Sequence, residues 1–374
     1  MTPLPLPPET FTQAGVELRV TRAWPLPEES TLILECADGE QRRAALWDQS
    51  GLRLQPTDTK LSALAEAAPG GVVVSHRWGR RAVVHQGERY IKVVRRGRSS
   101  AIMRGIARAG VFAQTFRTPE ALARDESTVT FSALPGLTLH DPALFSAVEW
   151  ERAWHQVMGA WTRAVRDAAR SLDVPGVPGL TDGGGLTDGG GTVTHGPDQE
   201  VQVLHRWAGL VQPFIENPEL LWRNVETASA RLRGLRDAPL RPAHRDLHDK
   251  QLLWSPDAGP GLLDVDTACL ADPALDLGNL RAHARLRVLQ QLWAPHEART
   301  VVAAVDAAAA QIGVSSSALR VYEQAAALRL GCVYAVRPAY SAVAARLRLL
   351  DAQEREDENF LIPTSRSPHS RGAG

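Results

Sequence analysis

The feature that most constrains this chain is the polar run HRDLHDK, which begins at His244 and leads directly into two short apolar segments. These segments, QLLW and LLDVD, are separated by the turn-forming stretch SPDAGPG, a pattern typical of a β-hairpin. The hairpin places Asp246 just before its first strand and Asp264 at the end of its second strand. Both carboxylates, together with the side-chain amide of Gln251, are therefore expected to converge at one edge of the hairpin.

The patterns before and after about Ser146 differ, and they predict two structural parts. The earlier segments VELRVTRAW, STLILECAD and QRRAALW alternate β-branched or aromatic residues with polar ones and predict strands. The runs GVVVSHRW, RAVVH and RYIKVV predict an antiparallel meander, and TDTKLSALAEAAPGG predicts a short helix ahead of it. After Ser146, tryptophans and valines recur at spacings of mostly three and four, which predicts an amphipathic helix with its tryptophans in the core.

The length of 374 residues exceeds the usual size of one hydrophobic core and favours more than one domain. The expected division is an N-terminal extension at 1–69, a strand-rich lobe at 70–135 and a helical lobe at 136–362. A loop at 176–198 contains the repeat GLTDGGG, and so much glycine cannot offset its ordering entropy by burial. This loop and the tail at 363–374 are therefore expected to be disordered.

The composition favours an ordinary globular protein of the cytoplasm. Apolar residues make up 44% of the chain and charged residues 22%, and the formal net charge of +0 gives no overall attraction to nucleic acid or an acidic membrane. The cysteines are widely separated, with no zinc or disulfide spacing. The first residues lack a signal-peptide pattern, and no apolar run reaches the roughly 18 residues of a membrane span. We expect a cytoplasmic monomer or homodimer with no nucleic-acid or membrane partner.

The convergent oxygen atoms of the hairpin suit phosphoryl transfer. That reaction needs a carboxylate to accept the proton of the attacking hydroxyl, and separate oxygen ligands for the Mg²⁺ that accompanies the nucleotide phosphates. Asp264 is the natural anionic ligand, and Gln251 offers an amide oxygen. Asp246, five residues before Gln251, is then the candidate base.

The string HRDLHDKQLL, followed by LLDVDTACLADPALDLGNL, resembles the catalytic and metal-binding segments of the aminoglycoside phosphotransferase and choline kinase superfamily, small-molecule relatives of the protein kinases. The resemblance covers roughly residues 70–345. It implies an α+β, bilobal protein-kinase-like fold with a strand-rich N-lobe, extra N-terminal strands and a mainly helical C-lobe. It also implies an enzyme that uses ATP and Mg²⁺, with Asp246 as catalytic base and with Gln251 and Asp264 as metal ligands.

The same resemblance implies supporting residues around this motif. Asp276 matches an aspartate at a helix start that braces the catalytic loop by accepting backbone hydrogen bonds. His244 and His248 are expected to hold the shape of the loop. Asp266 is expected either near the metal or in a structural role.

In the N-lobe, Lys92 of RYIKVV lies where the superfamily keeps its phosphate-binding lysine. The turn within SHRWGRRAV is expected to cover the nucleotide phosphates with its backbone amides, assisted by Arg77 or Arg80. The segment FSALPG, which contains Ser132 and Leu134, matches the hinge whose backbone meets the adenine.

The chain departs from the family pattern in two ways. Gln251 replaces the usual asparagine, and this feature, with the extra strands in residues 15–56, resembles sugar-kinase members such as maltokinases and glucosamine kinases. The segment SSAIMRGIARAG, predicted as a helix after Lys92, contains no acidic residue to pair with the lysine. Either a downstream acid serves, or the lysine is held differently, or activity is weak; the nearest downstream acids are Glu120, Asp125 and Glu126.

Other functions remain open at this point. A zinc or iron hydrolase would use ligands from the same motif, namely His244, Asp246, His248 and Asp249. A pseudokinase would keep the fold as a binding module, and the basic run from His76 to Arg98 would suit a nucleic-acid backbone. The favoured hypothesis is an ATP-dependent phosphotransferase acting on a hydroxyl of a small molecule, which we expect to be a sugar or aminosugar, with aminoglycosides as the alternative. The acceptor pocket is expected within 146–235 and 285–358.

Overall fold

The computed structural model describes residues 3–13, 15–27, 30–172, 193–235 and 238–349 of the chain. Its first part is rich in strands, which are β1 (Thr10–Gln13), β2 (Val16–Pro25), β3 (Leu32–Asp38), β4 (Gln41–Asp48), β5 (Gly51–Gln55), β6 (Val72–Arg77), β7 (Arg81–Gln86), β8 (Arg89–Val94), β9 (Ala121–Arg124), β10 (Thr128–Ser132) and β11 (Leu137–Thr138). Two helices lie among these strands, α1 (Leu64–Ala67) and α2 (Ser99–Arg108).

The later part of the chain is mainly helical. Its helices are α3 (Ala147–Leu172), α4 (Pro197–Val211), α5 (Pro218–Arg233), α6 (Ala274–Leu289), α7 (Pro295–Ile312), α8 (Ser316–Val333) and α9 (Ser341–Leu347). Its short strands are β12 (Thr194–His195), β13 (Arg241–Ala243), β14 (Leu252–Ser255), β15 (Gly259–Leu262) and β16 (Cys269–Ala271). Within the described ranges, no helix combines the length and apolar character needed to cross a membrane.

Two antiparallel sheets of five strands each form the first part, with the orders β1-β2-β3-β4-β5 and β6-β7-β8-β10-β9. The predicted strands and the predicted meander are confirmed. The predicted hairpin is also confirmed, because β14 pairs antiparallel with β15 and Leu252 lies opposite Leu262. Strands β1 and β5 are not evident from the sequence, because their side chains are partly or fully exposed and lack a clear apolar alternation.

One local prediction is confirmed and another is wrong in part. The segment at 57–71 forms a 3₁₀ turn and only four residues of α-helix, since a proline and two glycines follow at once. The loop predicted through residue 198 ends earlier, because β12 pairs in parallel with β16 and α4 begins at Pro197. Residues 173–192 of that predicted loop, and the predicted tail at 363–374, lie outside the described residues.

The helical part has a core in which α3 packs against α7 and α6. The tryptophans Trp150, Trp154 and Trp161 of α3 are all at most 4% exposed, which confirms that they belong to the core. Trp150 meets Trp293 edge to face with ring centroids 5.2 Å apart. Burial of such large rings supplies much of the apolar contact that fixes this part of the chain.

The first sheet contacts both the second sheet and the helical part. Its inner face shares a core with Phe214 and Val336 of the helical part. The Glu35 carboxylate of β3, which is 2% exposed, accepts hydrogen bonds from the His76 backbone N–H at 2.8 Å and the Ser75 hydroxyl at 3.0 Å. Through Glu35 the first sheet therefore fixes the strand β6 that leads into the turn at 78–80.

Replacement of Glu35 by alanine is expected to destabilise the protein. The change removes the acceptor of two buried hydrogen bonds to the β6 segment, and unpaired buried donors of this kind cost on the order of 3 kcal/mol together. Urea denaturation measures the change in the free energy of unfolding. The control Glu17→Ala alters an exposed residue of β2 and is expected to leave that free energy unchanged; equal stability of the two variants would contradict the role given to Glu35.

Candidate active site

Lys92 lies in the middle of β8 and reaches across to the end of the β14–β15 hairpin. Its Nζ donates hydrogen bonds to Asp264 Oδ1 at 2.9 Å and to Asp266 Oδ2 at 2.6 Å. Burial opposes the ammonium charge, but the two carboxylates outweigh it and raise the pKa of Lys92. Burial likewise opposes the charge of Asp264, yet Lys92 and Arg81 hold the pKa of that carboxyl well below its usual value. One ammonium group therefore joins the strand-rich part to the helical part.

Two of the three acids that follow Lys92 most closely in the sequence have partners of their own. Asp125 accepts hydrogen bonds from the backbone N–H groups of Ser127 and Thr128, and Glu126 forms an ion pair with Arg96. Lys92 is held instead by the two aspartates that follow β15. This is the second of the three alternatives that the sequence left open.

Helix α2, which has no acidic residue, packs directly on the segment that carries these aspartates. Gly105 approaches the backbone of Asp266 so closely that a Cβ atom at this position would lie 2.2 Å from the Asp266 carbonyl oxygen. Arg108 Nε donates a hydrogen bond to the Ala268 carbonyl oxygen at 2.8 Å. The helix thus positions the aspartates by backbone contact.

A cavity of about 440 Å³ lies beside Lys92, between the second sheet and the hairpin. Its wall is apolar near the end of β10 and polar near β15. It brings together several of the residues singled out from the sequence, which are Lys92, Ser132, Leu134, Gln251, Asp264 and Asp266. A planar apolar group at one end and an anion at the other fit this division of the wall.

The two arginines expected over the phosphates do not line this cavity. Arg77 stacks over the ring of Trp24 at 5.0 Å, so its guanidinium lies against the first sheet, and Arg80 is exposed at the turn. The cavity is lined instead by Arg81 and by Arg22 of β2. The alternation of strand residues offers a signal for Arg81, whereas no local pattern shows that β2 approaches this cavity.

The turn that follows β6 is fixed by a carboxylate that the sequence analysis did not identify. Asp58 Oδ2 accepts a hydrogen bond from the Gly79 backbone N–H at 2.6 Å and lies 3.1 Å from His76 Nε2. Burial raises the pKa of Asp58, but the hydrogen bonds from His76 and Gly79 outweigh it and lower the pKa. These contacts hold the turn against the segment that carries Asp58.

The fully buried Asp276 stabilises the loop that contains Asp246. Its two carboxylate oxygens accept the backbone N–H groups of His244 and Arg245, each at 2.8 Å. Arg245 and Asp264 both have positive φ, at 73° and 52°, a conformation that costs energy in residues other than glycine. The bonds from Asp276 help to stabilise this backbone at Arg245. His244 completes the support, because its Nε2 lies 2.8 Å from the Leu263 carbonyl oxygen.

Asp246 lines a second, smaller cavity of about 270 Å³. Thr267, which follows Asp266 directly, also lines this cavity, so the segment 264–267 contributes residues to both cavities. Asp246 therefore faces a space of its own, next to the space shared by Lys92, Gln251 and Asp264. Two cavities of this kind suit two different ligands that both contact the segment 264–267.

Gln251 and Asp264 suit a hard divalent cation. The Gln251 side-chain nitrogen lies 3.4 Å from His248 Nε2, an assignment that leaves the amide oxygen for other contacts within the larger cavity. The backbones of the two strands are joined there, since Leu263 N–H donates to the Gln251 carbonyl oxygen at 2.8 Å. An amide oxygen and a carboxylate are the ligand types that Mg²⁺ prefers, so the residues present fit this ion.

A zinc centre of the hydrolase type is not supported by the neighbouring histidines. Of the described residues, His248, Asp249 and His283 lie close enough together to hold a metal. However, the two Asp249 oxygens each accept a hydrogen bond from Arg287 at 2.9 Å. The guanidinium supplies the positive charge that a metal would bring, so this cluster is a structural ion pair beneath the loop.

Comparison with known proteins identifies a family and a fold that match this chain. The model of the phosphotransferase enzyme family matches residues 71–313, more than half of the chain. A choline kinase from Cryptosporidium parvum Iowa II is 10% identical, covers 80% of this chain and 96% of its own, and superposes with a TM-score of 0.50. At this identity the likeness is one of fold, and it matches the α+β, bilobal kinase-like architecture expected from the sequence. No curated protein sequence matches this chain.

Two further solved structures have lower TM-scores. The aminoglycoside phosphotransferase APH(3'')-Id from Streptomyces rimosus is 20% identical, covers 73% of this chain and 96% of its own, and has a TM-score of 0.48. A glucosamine kinase is 17% identical, covers 96% of both chains and has a TM-score of 0.44.

Replacement of Gly105 by alanine tests the contact between α2 and the aspartate segment. Alanine favours a helix over glycine by about 1 kcal/mol, so an unhindered site would become more stable. The close backbone of Asp266 is instead expected to make the variant less stable by about 1–3 kcal/mol. Chemical denaturation measures this, with Gly110→Ala as control because no atom lies within 4 Å of a Cβ at that position. A stabilised Gly105→Ala protein would contradict the contact.

The arginines beneath the loop are expected to make Tyr334 more acidic than an ordinary tyrosine. Burial alone would raise the pKa of Tyr334, but Arg337 and Arg287 outweigh it and lower the pKa to about 8. Between this value and the ordinary tyrosine pKa of about 10, the folded state has lost the proton that the unfolded state still holds. Stability is therefore expected to rise with pH across this interval. Ultraviolet absorbance should show a tyrosinate step near pH 8 that is missing in Tyr334→Phe; a wild-type protein without this step contradicts the prediction.

Proposed function

The chain belongs to the phosphotransferase enzyme family and is a small-molecule kinase, and we propose that it transfers the γ-phosphate of ATP to a hydroxyl of a sugar. The observation that carries this proposal is the larger cavity, where Lys92 of the sheet faces Gln251 and Asp264 of the hairpin. In this proposal residues 1–69 form a cap, 70–135 the nucleotide-binding lobe and 136–362 the catalytic lobe.

The larger cavity would hold the nucleotide. The end of β10, with Ser132 and Leu134, lines the side suited to the adenine, and the triphosphate extends toward Lys92. Lys92 neutralises phosphate charge, and Arg81 adds a second positive group from the neighbouring strand. Gln251 and Asp264 would hold Mg²⁺, which when bound neutralises the charge on the phosphate oxygens.

Asp246 would act as the base from the smaller cavity. A sugar hydroxyl placed there gives its proton to an Asp246 oxygen while its own oxygen attacks the γ-phosphorus. The bond between that phosphorus and the bridging oxygen of ADP breaks, and ADP leaves with the electron pair. Asp276 and His244 position Asp246 through the backbone bonds described above.

A sugar as the acceptor is supported by the wall of the smaller cavity. Trp207 lines one part of it, and the rest consists of carboxylate and guanidinium groups together with Val203 and Thr267. A flat apolar surface beside hydrogen-bonding groups is the usual surface for a sugar ring. Gln251 in place of asparagine, and the extra first sheet, resemble sugar-kinase members of the superfamily.

Replacement of Asp246 by asparagine tests the proposed base. Loss of a general base is expected to lower acceptor-dependent ADP release by roughly a hundredfold or more. Asp264→Asn is expected to lower release as strongly and, in addition, to weaken Mg²⁺-dependent nucleotide binding, because the anionic ligand is lost.

The matched control is Asp257→Asn, which removes a carboxylate from the exposed turn of the same hairpin. It is expected to keep wild-type release. Near-wild-type release by Asp246→Asn, measured over a panel of sugars and other hydroxyl compounds, would contradict the proposed base, and ATP binding without release for every compound would favour the pseudokinase hypothesis.

A further inference from the structure

The smaller cavity beside Asp246 has a charge that the proposed function does not explain. Its charged lining residues are two acids, Glu200 and Asp246, and three arginines, Arg206, Arg245 and Arg329. A pocket for a polycationic or amino-bearing acceptor needs an excess of carboxylates over guanidinium groups. In this cavity the arginines outnumber the carboxylates instead.

One of the two acids already has hydrogen-bonding and charged partners within the protein. Glu200 Oε1 lies 2.5 Å from His195 Nε2, and both side chains are buried. Burial opposes the charge of Glu200, but the hydrogen bond from His195 and the charges of Arg329 and Arg245 outweigh it and lower its pKa. The Glu200 carboxylate therefore has partners before any ligand arrives.

Arg245 and Arg329 interact with Glu200 over a longer distance than that of an ion pair. Within the part of the chain that the structure describes, Arg206, Arg245 and Arg329 form no ion pair within 4.0 Å. Arg329 is oriented by a neutral group, since its Nη2 donates a hydrogen bond to Asn279 Oδ1 at 2.6 Å. Arg245 is oriented by its backbone, which Asp276 holds at positive φ. The fold thus positions the guanidinium groups of Arg245 and Arg329, and their two positive charges exceed the single charge of Glu200, with which they interact.

The neighbourhood of this cavity contains further positive charge. Burial and the nearby charges of Arg80, Arg81 and Arg206 lower the pKa of Arg77 to about 10. Like charges gathered in this way repel one another, and an anionic ligand relieves that repulsion. The triphosphate of ATP accounts for the arginines of the larger cavity, but Arg245 and Arg329 line only the smaller one.

We infer that the acceptor is an anionic sugar, which carries a carboxylate or phosphate group beside the hydroxyl that is phosphorylated. The inference rests on the proposed function and narrows its substrate class. The anionic group binds Arg206 and Arg329, the ring packs on Trp207, and the reacting hydroxyl meets Asp246. Amino-bearing acceptors are disfavoured because their charge meets guanidinium groups.

The test compares matched acceptors with the purified full chain, ATP and Mg²⁺. Glucose, glucosamine, glucuronate and glucose 6-phosphate, with the corresponding galactose series, share one ring, and each charged member differs from the neutral sugar at a single position, where the hydroxyl is replaced by an amine, oxidised to a carboxylate or esterified with phosphate. The last two distinguish a carboxylate from a phosphate. Acceptor-dependent ADP release is expected to give kcat/KM about tenfold or more higher for an anion than for its neutral counterpart, and lowest for the amine. Equal or better turnover of the neutral or amino sugar overturns the inference and leaves the kinase function standing. Absence of turnover with every compound overturns the sugar-kinase function together with the inference.

A charge-removing variant assigns the effect to this cavity. Arg206→Gln is expected to raise KM for the anionic acceptor about tenfold, with KM for ATP and for the neutral sugar nearly unchanged. The control Arg223→Gln alters an exposed arginine of α5 that lies outside the lining of both cavities, and it should behave as the wild type. A rise in KM for ATP instead would show that Arg206 serves the triphosphate and would overturn its assignment to the acceptor.

Discussion

The structure of the site depends on the ammonium group of Lys92, which lies between two carboxylates on another part of the chain. Asp264 and Asp266 accept its hydrogen bonds at 2.9 Å and 2.6 Å, so a strand of the second sheet is joined to the end of the hairpin. Either charge alone would be unfavourable at this partly buried position, because burying an uncompensated charge costs free energy. The pair therefore fixes the distance between the sheet and the hairpin, and with it the size of the cavity between them.

Two other contacts keep this junction in place. Helix α2 lacks an acidic residue that could pair with Lys92. Instead, its Gly105 packs on the backbone of Asp266 and holds in place a carboxylate that does pair with Lys92. The first sheet adds a second support, because Glu35 binds β6 while the inner face of the same sheet packs on Phe214 and Val336. Arg22 of that sheet also lines the larger cavity. The additional N-terminal strands are thus part of the site's architecture as well as an extension of the fold.

The sequence predicts this site well where local chain geometry decides the outcome. The hairpin follows from turn residues between two apolar runs, and its register brings Gln251 and Asp264 to one cavity. The position of Lys92 follows from the order of the strands and from the resemblance to the superfamily. The bilobal fold follows from the motif, whose resemblance to the kinase-like superfamily is supported by the family match.

Long-range contacts explain what the sequence did not predict. Nothing near Lys92 indicates that its partners are 172 and 174 residues away. The approach of Arg22 and Glu35 to β6 depends on how two sheets pack, and the excess of arginines beside Asp246 appears only when α4, α8 and the loop at 244–250 are brought together. Arg77 illustrates the same limit, because its packing on Trp24 directs it away from the cavity that its sequence position suggested.

The most direct measurement is a crystal structure of the protein with Mn²⁺ and a non-hydrolysable ATP analogue. The account predicts an anomalous peak for the metal within coordination distance of the Gln251 amide oxygen and an Asp264 oxygen, with the terminal phosphate between Lys92 and the side of the loop that carries Asp246. A nucleotide bound outside the cavity of Lys92, or a metal held by His248, Asp249 and His283, would contradict it.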